Sequence, residues 1–385
     1  MSSMIAESST GQYLLRPLTL ESQSRPLQEL QPNDVAIASR ATTLCGSDMH
    51  YFQKGRNGSI EVREPLCLGH ESAGEIVAVG SAVQDRKVGD RVAIEPGVPC
   101  NDCDLCLNGR YNLCTKLRFR GSGSAWPHYQ GSLQSRLVHP AKWTHKLAEE
   151  LSFEEGALLE PLSVAVHACR RAAVQKGSSC TIIGAGAVGL LCAVAARYYG
   201  STEILIADIA ETRVNFALKL GVANAGYVVP TKRARDATES LALAKEMADS
   251  LGKIRCDNGA TVPRSDYTFE CTGVETCVQA SIYATKSGGK AVLVGMGTPN
   301  HLLPLSEASA REIDIVPTWR YADCYATAAE IMLESKRGGS LPDLSQLITH
   351  RFEGLEQVPT AMWTACTTQD ADGAMVVKVA LNLRN

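Results

Sequence analysis

The chain has no long run of one charge sign: 38 Lys and Arg stand against 41 Asp and Glu over 385 residues, a formal net charge of −3. A field so weak and so evenly spread attracts neither a nucleic acid nor an anionic membrane, and the expected partner is a small molecule. Nor is there an apolar run wide enough for a bilayer. The longest weakly polar stretch, Cys180 to Ala196, contains Gly184, Gly186 and Gly189 and falls short of a hydrocarbon core as a helix. The opening MSSMIAESSTGQYLL lacks the basic start and unbroken apolar stretch of a secretory signal, so export is not expected. Internal repeats and low-complexity segments are missing too, which leaves an ordinary globular chain.

What is abundant is cysteine. Fourteen thiols in a chain not expected to be exported point to a reducing, cytoplasmic compartment, where they stay free or bind metal rather than pair. With 45% hydrophobic and 21% charged residues, a chain of this length is expected to form two domains.

The pattern changes near residue 165. Before it, short β-rich runs such as Glu75–Val79 and Arg91–Ile94 are separated by Gly, Pro and Asp, with turns such as Val88-Gly89-Asp90 between them. From about residue 178 it becomes strand, glycine turn, helix, strand: CTIIGAGAVG, LLCAVAARYYG, EILIADIAETR, NFALKLGV. Such alternation builds a parallel sheet in an α/β fold. Tyr267–Cys271 and Lys290–Gly295 read as further buried strands of that sheet. The closing run Ala374–Leu381 has the β-branched residues of a strand that returns to the first domain, which makes the second, α/β domain an insertion. Pro230 to Arg264 reads as a surface helix followed by a variable loop around Cys256-Asp257-Asn258-Gly259, with no chemistry assigned.

Gly184-Ala185-Gly186-Ala187-Val188-Gly189 gains its meaning from its setting. An apolar strand precedes it, an apolar helix follows, and Asp208 closes the next strand nineteen positions after Gly189. In such a turn Gly184 permits the bend, Gly186 lets the backbone approach a pyrophosphate, and Gly189 lets helix and sheet come close, while helix-start amides face the phosphates. Asp208 would accept hydrogen bonds from the ribose hydroxyls and repel a 2′-phosphate, favouring NAD over NADP. Arg213 could reach the same ribose, but Ile209 rather than a basic residue follows Asp208.

Cys100, Cys103, Cys106 and Cys114 lie within fifteen residues. Four thiolates at that spacing close a tetrahedron around zinc, a shut site whose role is to hold a lobe together. A more dispersed set carries the chemistry. Cys45-Gly46-Ser47-Asp48-Met49-His50-Tyr51 supplies a thiol, a hydroxyl, an imidazole and a phenol; Gly69-His70-Glu71 supplies a second imidazole and a carboxylate. Glu160 is an acid inside the apolar Leu158-Leu159-Glu160-Pro161-Leu162, where its charge needs a partner such as a metal. Cysteine, histidine and carboxylate make a mixed site with room for water or an alcohol oxygen, as a catalytic zinc requires.

GHESAGEIVAVGSAV from Gly69 to Val83, LCGSDMHY, the four-cysteine lobe, EPLSVAVHACRR and the GAGAVG turn occur in the order found in zinc-containing medium-chain dehydrogenases, and the chain resembles their sorbitol/xylitol dehydrogenase branch from about Asp34 to Lys378. The resemblance implies a mostly β, GroES-like catalytic domain (residues 1–165 plus 318–385) with an inserted, doubly wound Rossmann domain (residues 166–317). It implies one catalytic and one structural zinc per chain. Cys45, His70 and Glu71 resemble ligands of the catalytic zinc, with Glu160 ligating it or binding its water and the substrate; the two glutamates are not ranked. Asp48 matches a carboxylate that orients the zinc-bound imidazole, and Ser47 and His50 resemble a relay taking the alcohol proton outward. Tyr51, Glu160, Arg320 and Tyr321 match polyol-contacting positions. Val188, Asp208, Arg213, Val294, Gly295, Met296, Thr318, Trp319 and Arg320 match cofactor contacts.

The implied reaction moves hydride from a secondary alcohol of a polyol to NAD, giving a ketose. Ala187 departs from the proline common in this turn, and the loop Ser122–Gln130 and the insertion near Cys256 match the branch poorly, which bears on substrate choice. Tyr51 fits sorbitol- and xylitol-type members better than arabinitol-type ones, where phenylalanine is more usual; L-arabinitol and galactitol are the alternative substrates. A zinc alcohol or threonine dehydrogenase, and a non-catalytic zinc or NAD-binding protein, are the remaining alternatives. Relatives are commonly dimers or tetramers, and a homotetramer is the expectation.

Overall fold

Around the first metal-ligand candidates the chain folds as strands with both faces covered. In the computed structural model, which describes residues 8–256, 259 and 261–383, a seven-stranded sheet runs in spatial order Thr144–Lys146, Arg91–Ile94, Glu71–Val79, Asp34–Thr43, Lys378–Asn382, Ile348–Glu353, and Arg136–Pro140 also pairs with Asp34–Thr43. All pairings are antiparallel except the last, between Lys378–Asn382 and Ile348–Glu353. Asp34–Thr43 occupies the centre because its residues Val35, Ala36, Ile37 and Ala38 are buried in succession, as a strand covered on both faces requires. Alternate side chains feed different cores: Val35 and Ile37 join Ile76, Val92, Ile94 and Leu137, while Ala36 joins Ala78 and Val138.

Register brings the chemistry together. Thr43, the last residue of the central strand, lies opposite Glu71 on one neighbour and Ala380 on the other. The end of the central strand, the start of Glu71–Val79 and the middle of Lys378–Asn382 therefore meet where the chain turns through Leu44 into Cys45. The C-terminal run was expected as a strand over Ala374–Leu381, but the strand spans Lys378–Asn382. Its expected first residues instead close a turn on Asp370, whose Oδ1 accepts the Asp372 and Ala374 N–H groups at 3.0 and 2.7 Å.

The chain divides into two units. One holds the residues up to Glu160, Ala328–Lys336 and the chain from Leu344 on; the other holds Pro161–Thr327 and Arg337–Asp343. The second unit is built on six parallel strands: β1 (Ser179–Ile183), β2 (Glu203–Asp208), β3 (Ala225–Val228), β4 (Ser265–Glu270), β5 (Thr285–Leu293) and β6 (Asp314–Pro317). Their order is β3-β2-β1-β4-β5-β6, the arrangement of a dinucleotide-binding sheet, with the strand order reversing beside β1.

The segment expected as a surface helix is partly a core element. Asp236 caps the helix Ala237–Leu251 by accepting the Glu239 N–H at 2.8 Å, and Ser240, Ala244, Met247, Ala248 and Leu251 are buried along one stripe. Its charge count hid that stripe. Asp257 and Asn258 of the following loop, and the first seven residues of the opening segment, lie outside the described residues.

Candidate active site

Cys45 sits at the N-cap of the helix Gly46–Lys54. Asp48, three residues on, is fully buried and ties two segments to that helix start: its Oδ2 accepts the Cys45 N–H at 3.0 Å and its Oδ1 accepts the Gly69 N–H at 3.0 Å. Gly69 has φ +87, and a Cβ there would lie 2.9 Å from both Leu133 Cγ and Ser132 Oγ. Only glycine lets the chain turn here and deliver His70 beside Cys45.

His70 is buried, its Nδ1 3.5 Å from Asp48 Oδ1 and its Nε2 3.5 Å from Ser47 Oγ. The Nδ1 atom lies inside the protein without a hydrogen bond. A few tenths of an ångström of closure would make Nδ1–H donate to Asp48, fix the tautomer and leave Nε2 as a lone-pair donor. Burial opposes a charge on His70, yet Asp48 and Cys45 lift its imidazole well above the ordinary value. Burial likewise would raise Asp48, but His70 and the two N–H groups hold its carboxyl below the usual range. The surroundings therefore favour positive charge at this point.

Glu71 opens its strand next door. The ligand atoms of Cys45, His70 and Glu71 all lie within 4.8 Å of one another. This mixed S, N and O set, with His70 turned by Asp48 so that Nε2 carries the free lone pair, fits a zinc ion. Glu71 is nevertheless already engaged: Lys378 Nζ donates to its Oε1 and Oε2 at 2.9 and 2.8 Å, and Thr43 Oγ1 donates to Oε2. Lys378 is itself buried and also donates to the Leu44 carbonyl at 3.1 Å. Burial would lower the Lys378 pKa, but Glu71, Cys45 and Glu160 raise it and keep the ammonium charged.

Glu160 is buried near the start of the helix Leu159–Ala172 and contributes to the field at Lys378, but it is outside the three-residue cluster. Ser47, His50 and Tyr51, at i, i+3 and i+4, share one face of the helix Gly46–Lys54. Of these, Ser47 reaches His70, while His50 Nδ1 lies 3.1 Å from Asn57 Oδ1. Tyr51 is buried; its hydroxyl lies 3.1 Å from Ser122 Oγ and accepts the Gly123 N–H at 3.2 Å, so the phenol anchors the loop at 122–123.

The second cluster is local. Cys100, Cys103, Cys106 and Cys114 have all their sulfurs within 4.8 Å, with individual separations of 3.8, 3.4 and 3.5 Å for Cys100–Cys106, Cys103–Cys106 and Cys100–Cys114. Thiolates ~2.3 Å from one zinc stand about 3.8 Å apart, so the cradle has the size of a zinc tetrathiolate. No pair is bonded as a disulfide. The Cys103 thiol is drawn down to about 7, first by the backbone N–H of Cys106, whereas Cys100 is pushed up to about 12, first by the side chain of Asp102. Four neighbouring thiols cannot all ionise without a cation between them, which is the fit expected of a metal.

In the second unit, Gly184 has φ +103, and its N–H donates to the Ala207 carbonyl at 2.7 Å. A Cβ on Gly189 would stand 1.8 Å from the Gly184 carbonyl oxygen, so glycine is obligatory where the helix Ala187–Tyr198 crosses the turn. Gly186, the N-cap, is different: nothing lies within 4 Å of where its Cβ would be. The open space faces the helix N-terminus, a cradle suited to phosphate. Asp208 lies beside this turn, accepting the Ala185 and Ala210 N–H groups at 2.7 and 2.9 Å. Val188 lies in the first turn of the helix that follows, and Arg213 in the first turn of Glu211–Leu220.

After β5, the Val294 and Gly295 N–H groups both donate to the Glu270 carbonyl, at 2.9 and 2.8 Å, and Met296 is exposed. Thr318, following β6, donates from both N and Oγ1 to the Leu293 carbonyl. Arg320 has φ +51 and lies over the Trp319 ring at 5.1 Å, while Tyr321 is buried against Tyr325, ring centroids 5.7 Å apart. These two stretches continue from the C-terminal ends of β5 and β6, where ligands of such sheets bind.

Sequence reasoning missed Lys378. A signal was present, since a lysine interrupts the apolar MVVKVAL just as Glu160 interrupts its own apolar run. It also missed Thr43 and the tie from Tyr51 to Ser122 and Gly123, which depend on strand register and loop path.

Residues 31–149 match the family described as Alcohol dehydrogenase GroES-like domain, and residues 187–334 match Zinc-binding dehydrogenase. The chain is 38% identical over 378 residues to L-idonate 5-dehydrogenase of Vitis vinifera, covering 98% of this chain and 95% of that protein. It is 37% identical over 382 residues to sorbitol dehydrogenase of Arabidopsis thaliana, covering 99% and 97%. Among solved structures, an Escherichia coli oxidoreductase/dehydrogenase of unknown specificity involved in membrane biogenesis superposes with a TM-score of 0.82 at 30% identity, covering 98% of this chain and all of that one.

Proposed function

The chain belongs to the zinc-binding dehydrogenases that carry an alcohol dehydrogenase GroES-like domain, and from that membership we propose that it oxidises a secondary hydroxyl of a sugar alcohol to a ketone with NAD as hydride acceptor. The observation that carries this reading is the convergence of Cys45, His70 and Glu71 at the end of the central strand, beside a buried aspartate placed to orient the imidazole. Relatives named for sorbitol and L-idonate support a polyhydroxylated substrate.

When bound, zinc supplies Lewis acidity that lowers the pKa of the substrate hydroxyl, and NAD supplies the hydride acceptor. Cys45, His70 and Glu71 hold the metal, Asp48 orients His70, and Lys378 balances the charge of Glu71. Ser47 takes the hydroxyl proton and His50 passes it outward. Glu160, Tyr51, Arg320 and Tyr321 read the neighbouring hydroxyls, so a simple alcohol would leave buried polar groups without partners and be rejected. Cys100, Cys103, Cys106 and Cys114 hold the second zinc.

Gly184, Gly186, Val188 and Gly189 receive the pyrophosphate, and Asp208 takes the ribose hydroxyls, with Arg213, Val294, Gly295, Met296, Thr318, Trp319 and Arg320 completing the cofactor contacts. Asp208 at the ribose supports NAD over NADP. The protein acts in the cytoplasm as a homotetramer; light scattering that finds a stable monomer at micromolar concentration removes the tetramer. The activity is tested by following NADH at 340 nm with sorbitol, xylitol, L-iditol, L-arabinitol, galactitol and ethanol, each with NAD and NADP, before and after zinc chelation. Chelator-sensitive turnover of a polyol with NAD is expected. Silence across the panel in zinc-replete protein turns the reading to a zinc and dinucleotide-binding protein.

A further inference from the structure

The first unit contains a cavity of about 220 Å³ that plays no part in the dehydrogenase reading, and three arginines line it: Arg25, Arg118 and Arg120. Among the described residues no carboxylate lines it. Among the described residues none of the three forms an ion pair with a carboxylate; aromatic faces and neutral acceptors hold them instead. Arg25 lies 3.7 Å from the centre of the Tyr13 ring and donates to Gln23 Oε1, while Arg118 and Arg120 lie 4.6 and 4.1 Å from the centre of Tyr129.

Arg120 is the informative residue, because only 3% of it is exposed. Its Nε donates to His139 Nδ1 at 3.0 Å, its Nη1 to the Gln130 carbonyl at 2.8 Å and its Nη2 to the Val138 carbonyl. These bonds use three of the five N–H groups of a guanidinium and bring no negative charge. Accepting at Nδ1 leaves His139 to donate from Nε2 to the Glu95 carbonyl at 2.9 Å, so that ring is neutral. His128, also on the cavity wall, accepts the Arg63 N–H at Nε2 and donates from Nδ1 to the Ala125 carbonyl, so it is neutral too. Asp34 acts on Arg120 only through space. A buried cation is ordinarily paired, and one facing two further cations across a cavity is short of negative charge.

We propose that this cavity binds a phosphate-type oxyanion, either free phosphate or the phosphomonoester of a small metabolite, apart from the active site. Planar guanidinium forks match a tetrahedral oxyanion and its near-double charge, and several can share its oxygens. The volume suits a small ion or ester rather than a nucleotide.

The test is calorimetric titration of inorganic phosphate, and separately of glycerol 3-phosphate, into the full-length protein loaded with zinc and saturated with NAD. Chloride holds the ionic strength constant. One saturable site is expected, with affinity falling at least tenfold in Arg25→Gln/Arg118→Gln and unchanged in Arg16→Gln, an exposed arginine whose partner is Thr19. Tighter binding of the ester assigns the site to phosphomonoesters, and tighter binding of the ion assigns it to free phosphate. If the double variant does not fold, Arg118→Gln alone carries the comparison, since that side chain is exposed. No saturable site in the wild type, or equal affinity in the wild type and the arginine variant, overturns the proposal.

Discussion

The two metal-ligand clusters of the first unit are built in opposite ways. Four cysteines within fifteen residues form a cradle on a surface lobe, where Leu107 is 72% exposed. Cys45, His70 and Glu71 come from a helix cap, a glycine turn and a strand start, and His70 and Glu71 are buried. The first cluster is a closed ligand set whose own thiols fill every position around a tetrahedral ion. The second is a mixed set of sulfur, nitrogen and oxygen, and a buried lysine already pairs with its carboxylate. Local ligands suit a metal that holds a loop together; ligands held on rigid strand ends suit a metal that must keep its geometry through a reaction.

The sharpest way to break this contrast is to remove one sulfur from each cluster. Cys45→Ala is expected to lower kcat/KM by on the order of 10³-fold or more, because several kcal/mol of metal polarisation are lost, with little change in thermal stability. Cys103→Ser is expected to do the reverse, lowering the unfolding midpoint by roughly 10 °C while polyol turnover persists at low temperature. Calorimetry and steady-state rates on the same preparations separate the two.

A smaller effect is expected at Lys378. Replacement by methionine strands the Glu71 carboxylate, which should cost about 3–5 kcal/mol in metal-free protein. The cost should shrink when a cation answers that charge, so zinc should bind Lys378→Met more tightly than the wild type in a competitive chelator titration. Weaker binding would mean that Lys378 places Glu71 for the metal rather than competing with it.

Asp48→Asn keeps the shape and removes the charge beside His70, and zinc affinity should fall by roughly 10- to 100-fold, the range for partners that orient metal ligands. The smallest effect is expected from Tyr51→Phe, which loses contacts to Ser122 and Gly123 worth ~1 kcal/mol and should change the ratio of sorbitol to L-arabinitol turnover by less than about tenfold. An unchanged ratio detaches the 122–123 loop from substrate choice.

Legibility followed the same division. The four-cysteine cradle and the glycine turn could be read directly, because local spacing alone fixes which atoms meet; the 1.8 Å clash at Gly189 is the physical reason for that motif's last glycine. The α/β class and the strand alternation were equally plain from residue 178 on. Cys45 and His70 were accessible through resemblance, but the position of Glu71 against Lys378 was not, since it depends on the register that sets Thr43 opposite Glu71 and on a strand entering from the far end of the chain. The helix Ala237–Leu251 misled for a simpler reason: Glu239, Lys245, Glu246 and Asp249 interleave with a buried stripe made largely of small residues, Ser240, Ala244 and Ala248.

The most direct test of the account is the zinc content of purified protein, measured by mass spectrometry alongside Cys45→Ala and Cys103→Ser. Two zinc ions per chain in the wild type and one in each variant are expected, with the ion that remains in Cys45→Ala resisting chelation. One ion in the wild type that survives in Cys45→Ala but vanishes in Cys103→Ser would contradict the account, leaving a zinc-stapled lobe and no metal for catalysis.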